Sequence, residues 1–348
     1  MHFGIFVEEA RRGSTERQWF EETYELVDAS ESWGLDGVWL GEIHFNPVRS
    51  VLSSPIALAS FIAARTRRVR VGTAITVLPL CNPLRIAEDV ATVDHLSEGR
   101  FDFGIGRSGS PRAYDALGIP YAESQARFAE TLEILREAWK GERFSYQGKF
   151  FQVNNVTVGP RPYQKPHPPM RMAANSPDTF AFVGRHGLPL FAGLRDHGIP
   201  ELRAHLETYR NAWRAAGHPG NGDVCLRMPI YAAPTESAAR EEPKENFTYF
   251  FQRHLELVRS GLGRADTGSA ERREAKVAEL KALSYDEILK SRVAVGTAPA
   301  LIERLRELKD DLGLTGIVAE LNPGGLLPAE PMLRTLRILT HEVIPAFR

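Results

Sequence analysis

The sequence predicts an α/β protein in which residues 1–348 form one domain, a single (β/α)8 barrel with insertions. Short runs rich in β-branched and aromatic residues alternate with longer amphipathic runs, which is typical of βα units around a parallel sheet. The chain of 348 residues can hold eight such units. A barrel of this kind needs about 250 residues, so the remainder can form insertions.

Eight candidate strands follow one another along the chain. Each is an apolar or aromatic run bounded by charged residues or by residues that favour turns. Eight strands separated by helical segments are the number that closes this type of barrel. The predicted strands are 2–7, 36–42, 68–78, 100–106, 170–174, 189–193, 225–232 and 315–321.

Three of the helices between these strands have clear start or stop signals. Asn82 followed by proline predicts a helix start, and Gly99 lies just beyond the far end of that helix. A second helix begins near Ser124 and stops at Gly141, since its apolar residues recur on one face. A third helix is predicted over 297–313.

Two insertions account for the extra length. Residues 142–168 have the aromatic pattern of a hairpin and end in a proline-rich turn. Residues 236–292 are highly charged and helical in pattern, and 260–275 is their least ordered-looking part. A long segment after the seventh strand lies at the C-terminal end of a barrel, where active sites are built. It is therefore either a lid over the site or a pair of solvated surface helices.

Composition excludes several classes of protein. The formal net charge is −1, from 43 Lys+Arg and 44 Asp+Glu, so we expect no binding to nucleic acid or to an anionic membrane surface. The two cysteines form no C-x-x-C pair, and no H-x-H pair occurs, so neither a disulfide framework nor a metal site is expected. The sequence contains no apolar run of membrane length and no signal-peptide pattern, which predicts a cytoplasmic protein.

A glycine-rich stretch, "GRFDFGIGRSGSPR", contains Gly104, Gly106 and Gly109 in the spacing G-x-G-x-x-G. A dinucleotide-binding loop with this spacing belongs in the first βα turn and leads directly into a helix. Here three predicted strands come first, and Pro111 follows at once. We therefore reject a nicotinamide site. Arg107 at the end of the fourth strand can instead hold a phosphate, or it can pair with a barrel carboxylate.

Motifs over nearly the whole chain are similar to those of one family. They are "MHFGIF", "GLDGVWLGEIHF", "RVRVGTAITVLPLCNPLRIAEDVATVDHLSEGRFDFGIGR", "AANSPDTFAFVGRHGLPLF", "VGTAPALIERL" and "EVIPAFR". In these motifs the chain resembles the bacterial luciferase-like flavin-dependent monooxygenases. The resemblance implies a (β/α)8 barrel, reduced FMN delivered by a separate flavin reductase, and a homodimer.

The resemblance also implies a set of residues that bind the FMN phosphate. The matching positions are Arg107, Asn175, Ser176 and Thr179. The residues themselves agree with this role, because "NSPDT" opens a helix whose free N–H groups and hydroxyls can face an anion. Simple N-capping is the other use of such residues. A cis peptide bond between Ala74 and Ile75, beneath the flavin ring, is a further implication of the resemblance.

Glu42 and His44 follow the second strand, and they are the candidate catalytic residues. A histidine there can move a proton, since its ordinary pKa is near 6.5. In luciferase the catalytic histidine occupies the position of Ile43, and a cysteine occupies the position of Gly106. The resemblance therefore implies flavin chemistry without implying light emission.

The expected function is a flavin-dependent monooxygenase that oxygenates a small organic substrate with reduced FMN and O2 through a 4a-peroxyflavin. A deazaflavin-dependent hydride-transfer enzyme and a non-catalytic flavin-binding partner subunit are the alternatives. The phosphate-site residues count against a non-catalytic subunit. Arg195, His197 and Asn82 are further positions near the site with no assigned role. We expect an apolar pocket lined by Phe6, Trp39, Ile75 and Phe103.

Overall fold

A computed structural model of the protein describes residues 1–108, 111–260 and 267–348. Parallel strands form the centre of the fold and helices surround them. The strands are β1 (His2–Val7), β2 (Gly37–Leu40), β3 (Arg70–Thr73), β4 (Thr76–Val77), β5 (Phe101–Gly106), β6 (Phe144–Gln147), β7 (Gln152–Val156), β8 (Met170–Ala173), β9 (Leu190–Gly193), β10 (Val224–Ala232), β11 (Ala294–Gly296) and β12 (Gly316–Glu320).

Eight of these strands close into a barrel. Their order around it is β1, β2, β3, β5, β8, β9, β10 and β12, and β12 pairs with β1 to complete the ring. Every pairing in the ring is parallel. The predicted (β/α)8 barrel is therefore confirmed, and all eight predicted strands are part of it.

Helices follow the barrel strands and fill the predicted insertion. They are α1 (Glu16–Ser32), α2 (Pro55–Arg65), α3 (Pro83–Leu96), α4 (Pro111–Ala116), α5 (Ser124–Lys140), α6 (Pro177–Arg185), α7 (Ile199–Ala215), α8 (Glu236–Glu241), α9 (Lys244–Ser260), α10 (Thr267–Ala282), α11 (Tyr285–Ser291), α12 (Ala298–Leu312) and α13 (Ala329–Ile338). In the described part of the chain, no helix has the length and apolar character needed to cross a membrane.

The helix signals in the sequence correspond to real caps. The Asn82 side chain accepts hydrogen bonds from the N–H groups of Leu84 and Arg85 at the start of α3. Gly141 and Gly313 end α5 and α12 with φ values of +71° and +60°, the left-handed conformation that glycine adopts at little cost. Asn82 therefore has a structural role at the start of α3.

The local structure differs from the prediction at three places. The third strand is interrupted at Ala74–Ile75 and continues as the short β4, which pairs with β5. Pro111 was expected to break the chain, but it begins α4, because proline is well suited to a first helical turn. The short strand β11 was not predicted, and it pairs with the end of β10. Gly109 lies outside the described residues.

Successive side chains along a strand point alternately into the barrel and out toward the helices. The Trp39 indole occupies the interior: a Cβ atom on Gly72 would lie 2.5 Å from it, and one on Gly4 would lie 2.7 Å from it. Trp39 packs with a small apolar cluster separate from the main core. Such inward-facing layers fill the barrel rather than leave a pore. The other members of the interior cluster are Phe6, Ala74, Phe191, Cys225 and Val318.

The expectation that Phe103 lines the pocket is wrong. Its ring faces away from the barrel interior and makes an edge-on contact with Trp139 of α5, with centroids 6.1 Å apart. The neighbouring position 104 admits only glycine, since a Cβ atom there would lie 1.8 Å from the Thr73 carbonyl oxygen. Phe6 and Trp39 do face the interior, and Ile75 packs against the same cluster.

Both predicted insertions form regular structure. Within 142–168, β6 and β7 form the expected antiparallel hairpin. Within 236–292, the helices α8 to α11 occupy the described residues, while 261–266 lies outside them. Helix α9 reaches the C-terminal end of the barrel through Arg253 and His254. The insertion therefore covers one side of the place where a barrel active site is expected.

Candidate active site at the barrel mouth

The mouth of the barrel comprises the residues at and beyond the C-terminal ends of its strands. We divide it into two arcs. The first arc follows the neighbouring strands β2, β3, β5 and β8, and the second arc belongs to β9, β10, β12 and β1. The first arc contains Glu42, His44, Ala74, Ile75, Arg107, Asn175, Ser176 and Thr179. The second arc contains Glu8, Glu9, Arg195, Asp196, Arg227 and Glu320, with Arg49, Arg253 and His254 against them.

Strand pairing brings the first arc together. At the C-terminal ends, Leu40 of β2 lies opposite Thr73 of β3, and Ile105 of β5 lies opposite Met172 of β8. β4 joins the same edge by pairing with β5. Since parallel strands end at the same edge, the segments that follow them are neighbours. All the catalytic and cofactor-binding candidates from the sequence therefore lie along one continuous half of the mouth, while Arg195 lies in the other half.

Glu42 and His44 form a hydrogen-bonded pair beyond β2. The His44 Nε2 atom lies 2.8 Å from Glu42 Oε1, and the Glu42 side chain is only 7% exposed. The Val77 N–H group lies 3.4 Å from the other Glu42 oxygen. The Glu42 carboxylate thus holds the Nε2 edge of the His44 imidazole. When Nε2 carries the hydrogen of this bond, Nδ1 is the nitrogen that is free to exchange a proton.

The predicted cis peptide bond between Ala74 and Ile75 is present. Ala74 is 8% exposed and belongs to the interior cluster, and its N–H group donates to the Leu40 carbonyl at 2.7 Å. Ile75 fills the space beside Gly106, because a Cβ atom on that glycine would lie 2.7 Å from Ile75 Cδ1. The two residues form part of the apolar floor of the first arc.

Arg107 has no ion-pair partner among the described residues. Its Nη1 atom lies 3.4 Å from the Ser124 hydroxyl, and no described carboxylate lies within 4.0 Å of its guanidinium. Tyr114 holds the backbone in place by donating to the Arg107 carbonyl. The alternative that this arginine pairs with a barrel carboxylate is therefore not what the described residues show.

Ser176 and Thr179 stand at the start of α6. Their hydroxyls hydrogen-bond to each other at 2.9 Å, and the Ser176 side chain makes no capping bond to the helix backbone. Asn175, just before them, is exposed. The N-capping interpretation is thus wrong for Ser176. The two hydroxyls lie at the positive end of a nine-residue helix, next to the strand that carries Arg107.

The second arc contains charged groups that neutralise one another. Arg49 pairs with both Glu8 and Glu9, and its Nε lies 3.1 Å from Glu9. Arg253, from α9, donates to both Glu9 oxygens at 2.7 and 3.0 Å. Burial opposes ionisation of Glu8, but the Arg49 and Arg227 guanidinium groups outweigh it and lower the pKa of Glu8 to about 2.

Arg227 and Glu320 continue this network inside the barrel. The Arg227 Nε atom lies 3.0 Å from Glu320 Oε1, and its guanidinium carbon lies 3.5 Å from the centre of the Phe6 ring. The Glu320 side chain is only 5% exposed. A buried ion pair of this kind holds both side chains in position, because each charge is stabilised by the other in place of water.

Asp196 and His254 connect the segment after β9 to α9. The His254 Nε2 atom lies 2.9 Å from Asp196 Oδ1, and Arg195 lies 3.3 Å from the same carboxylate. Burial opposes ionisation, but Arg195 and His254 hold the pKa of Asp196 well below its usual range. Burial also lowers the pKa of His254. His197 does not join this group, since it contacts α7.

Sequence reasoning missed the paired residues of the second arc. Its partners are far apart in the chain: Arg253 is 244 positions from Glu9, and Arg227 is 93 from Glu320. A usable signal was present, because "EE" directly follows the apolar run of β1, and an arginine interrupts the apolar run of β10. Charges within such runs indicate inward-facing groups that need partners.

These features define an enzyme scaffold with a polar, partly enclosed site at the C-terminal end of a barrel. The chain belongs to the luciferase-like monooxygenase family, whose model matches residues 1–316. The family resemblance seen in the sequence motifs is thus confirmed.

The chain is similar to several individual proteins. The chain is 26% identical to the oxygenase component of the flavin-dependent trigonelline monooxygenase of Acinetobacter baylyi, over 100% of this chain and 96% of that protein. It is 34% identical to the F420-dependent glucose-6-phosphate dehydrogenase of Kineococcus radiotolerans, but over only 45% of this chain and 48% of that protein. In structure it is similar to the oxygenating component of 3,6-diketocamphane monooxygenase of Pseudomonas putida in complex with FMN, with a TM-score of 0.84, 21% identity, and coverage of 99% and 98%.

Proposed function

We propose that the protein is the oxygenase of a two-component system, which uses reduced FMN from a separate reductase and O2 to oxygenate a small organic substrate. The observation that carries the proposal is Arg107, whose guanidinium has no carboxylate partner among the described residues. It follows β5, which pairs with β8, and β8 leads to the hydroxyl pair at the start of α6. A dianionic phosphate is the ligand that such groups suit. The relative described as an oxygenase component supports a separate reductase.

The residues of the first arc fit FMN. Arg107, Ser176, Thr179 and Asn175 would hold its phosphate, and the segment Ala74–Ile75 would lie against its ring. Bound reduced FMN would supply the electrons that activate O2. Ala74 and the interior cluster beneath it would keep water away from the ring, since that surface is apolar.

Glu42 and His44 would handle the proton. The Glu42 carboxylate orients the His44 imidazole through Nε2. His44 would give a proton to the bound substrate, or take one from it, at Nδ1. The second arc would serve a different purpose. Its groups are already paired, so it would shape the opposite wall without binding the phosphate.

Rapid mixing tests this function against the F420 alternative. The protein is mixed anaerobically with reduced FMN and then with O2, while absorbance is followed. A 4a-peroxyflavin spectrum that outlasts the reaction in buffer supports the oxygenase. Oxidation at the rate seen in buffer contradicts it, and tight F420 binding would then favour the hydride-transfer enzyme that one relative represents. If F420 does not bind either, the non-catalytic subunit is favoured.

We also propose that the protein is a homodimer. Light scattering on the same sample tests this.

A further inference from the structure

A cluster of polar side chains lies beside the second arc and packs against Phe180 of α6. His197 follows β9, and Glu201 and His205 lie on α7, so the three are spaced by four residues. Four residues are about one helical turn, which puts such side chains on one face. This spacing places Glu201 and His205 on one face of α7, and His197, which precedes the helix, lies against that face.

The ligand atoms of these residues converge on one carboxylate oxygen. His197 Nδ1 lies 3.2 Å from Glu201 Oε1, and His205 Nε2 lies 3.7 Å from the same oxygen. One nitrogen or oxygen from each of the three residues lies within 4.8 Å of the others. Zn²⁺ binds imidazole nitrogen and carboxylate oxygen at about 2.0–2.2 Å, so its ligand atoms sit about 3.3–3.5 Å apart. Small side-chain adjustments would therefore bring all three onto one ion.

His197 is the most buried of the three side chains. It is only 5% exposed, its Nδ1 atom lies 3.2 Å from Glu201 Oε1 without the alignment of a full hydrogen bond, and its Nε2 atom has no hydrogen-bond partner among the described residues. A buried polar group without a well-aligned partner costs free energy. A metal ion bound at Nδ1 would replace the poorly aligned contact with a ligand bond.

The surroundings hold the other two ligands in place. The Phe180 ring stacks on His205 with centroids 5.1 Å apart, and the His197 ring meets His205 edge-on at 4.8 Å. Glu201 is 42% exposed, so the cluster is open to solvent on one side.

Lys276 of α10 is the group that opposes a cation here. Its ammonium lies 2.9 Å from Glu201 Oε2, the oxygen that faces away from the histidines. The positive charge of Lys276 would repel a metal ion bound to the same carboxylate. Lys276 thus weakens the site for a cation.

We propose that His197, Glu201 and His205 form a binding site for a divalent transition-metal ion of the Zn²⁺ type, with water completing the coordination. Two imidazoles and one carboxylate are a ligand set that Zn²⁺ prefers, and three protein ligands leave one position open. The proposal does not depend on the flavin function.

Titration of the tag-free, chelator-treated protein with Zn²⁺ and with Co²⁺ tests it. We expect one equivalent to bind, with Co²⁺ giving the intense visible bands of a low-coordinate site. His205→Gln and Glu201→Gln should each weaken binding at least about tenfold, while Lys276→Met should tighten it. His95→Gln, which changes an exposed histidine bonded to a backbone carbonyl, should leave it unchanged.

Two results would overturn the proposal. One is Zn²⁺ affinity that is equal in the native protein, His205→Gln and Glu201→Gln. The other is no tightening in Lys276→Met, which retains all three ligands and so does not depend on whether the ligand variants fold. Circular dichroism of each variant separates lost binding from lost folding. Flavin binding is measured on the same samples, so failure of this site is distinguishable from failure of the proposed function.

Discussion

The two arcs of the barrel mouth use polar residues in opposite ways. In the second arc, Arg49 and Arg227 are each matched by buried carboxylates. In the first arc, the Arg107 guanidinium has no carboxylate within 4.0 Å among the described residues, and the Ser176 and Thr179 hydroxyls bond only to each other. Paired groups satisfy the fold's own needs, whereas groups without charged partners are available to a ligand. We infer that the second arc maintains the mouth and the first arc binds the cofactor.

The largest expected effect comes from breaking the second arc. Arg49→Met would leave two buried carboxylates without their shared partner, so we expect a loss of about 3–5 kcal/mol in the free energy of unfolding. Urea denaturation measures it. Arg65→Met removes an exposed arginine paired with Asp28 and should give no measurable change. A loss no greater than that of the control would show that the second arc is not needed for stability.

Acid should weaken the second arc through Glu8. The pKa of Glu8, about 2, lies below the ordinary value of 4.5. Its contribution to the free energy of unfolding is therefore fully present above pH 4.5 and is lost as the pH falls toward 2. A shift of this size is worth on the order of 3 kcal/mol. Burial raises the pKa of Glu9, and the Arg49 and Arg253 guanidinium groups oppose this effect.

Unfolding measured between pH 5 and pH 2.5 tests the role of Glu8. Native protein should lose stability more steeply than Glu8→Gln, which cannot titrate at that position. Equal slopes would mean that Glu8 gains nothing from Arg49 and Arg227 in the folded state.

Substitutions in the first arc should weaken FMN binding rather than lower the free energy of unfolding. We expect Arg107→Ala to weaken FMN binding by about 1.5–3 kcal/mol, roughly 10- to 150-fold in Kd, if the guanidinium contacts the phosphate. The free energy of unfolding should change little. Arg127→Ala is the matched control, because Arg127 lies nearby on α5 but is already paired with Glu123 at 2.9 Å. Equal losses in the two variants would contradict a specific role for Arg107.

The smallest expected effect belongs to the hydroxyl pair. Replacing Ser176 with Ala and Thr179 with Val should each weaken FMN binding by about 0.5–1.5 kcal/mol, the usual value of a neutral hydrogen bond. Ser291→Ala, which removes an exposed hydroxyl bonded to a helix carbonyl, is the control. Fluorescence titration of FMN measures all three. Unchanged affinity in the double variant would remove the start of α6 from the site.

The fold was predictable because its signals are local. Each barrel strand is a short apolar run, and helix ends such as Asn82 and Gly141 have their own chemistry. The orientation of the Phe103 side chain was not predictable. Strand β5 is buried along its whole length, so its sequence shows no alternation of apolar and polar residues. The Phe103 ring packs on Trp139 of α5, a contact that exists only in the folded barrel.

The candidate site was predictable for one arc only. Residues of the first arc belong to compact motifs, and the cis bond at Ala74–Ile75 came from the family resemblance rather than from residue chemistry. The second arc joins β1, β10, β12 and the insertion helix α9, and no local pattern states which of their charges meet. The cluster of His197, Glu201 and His205 escaped notice because its spacing differs from H-x-H.

The preference for FMN over riboflavin tests the central claim most directly, because the two ligands differ only in the phosphate. Dissociation constants of both are measured for the native protein and for Arg107→Ala. We predict that the native protein binds FMN at least about tenfold more tightly than riboflavin, and that Arg107→Ala loses most of this preference. Equal binding of both ligands by the native protein, or an undiminished preference in the variant, would contradict the assignment of the first arc to the cofactor phosphate.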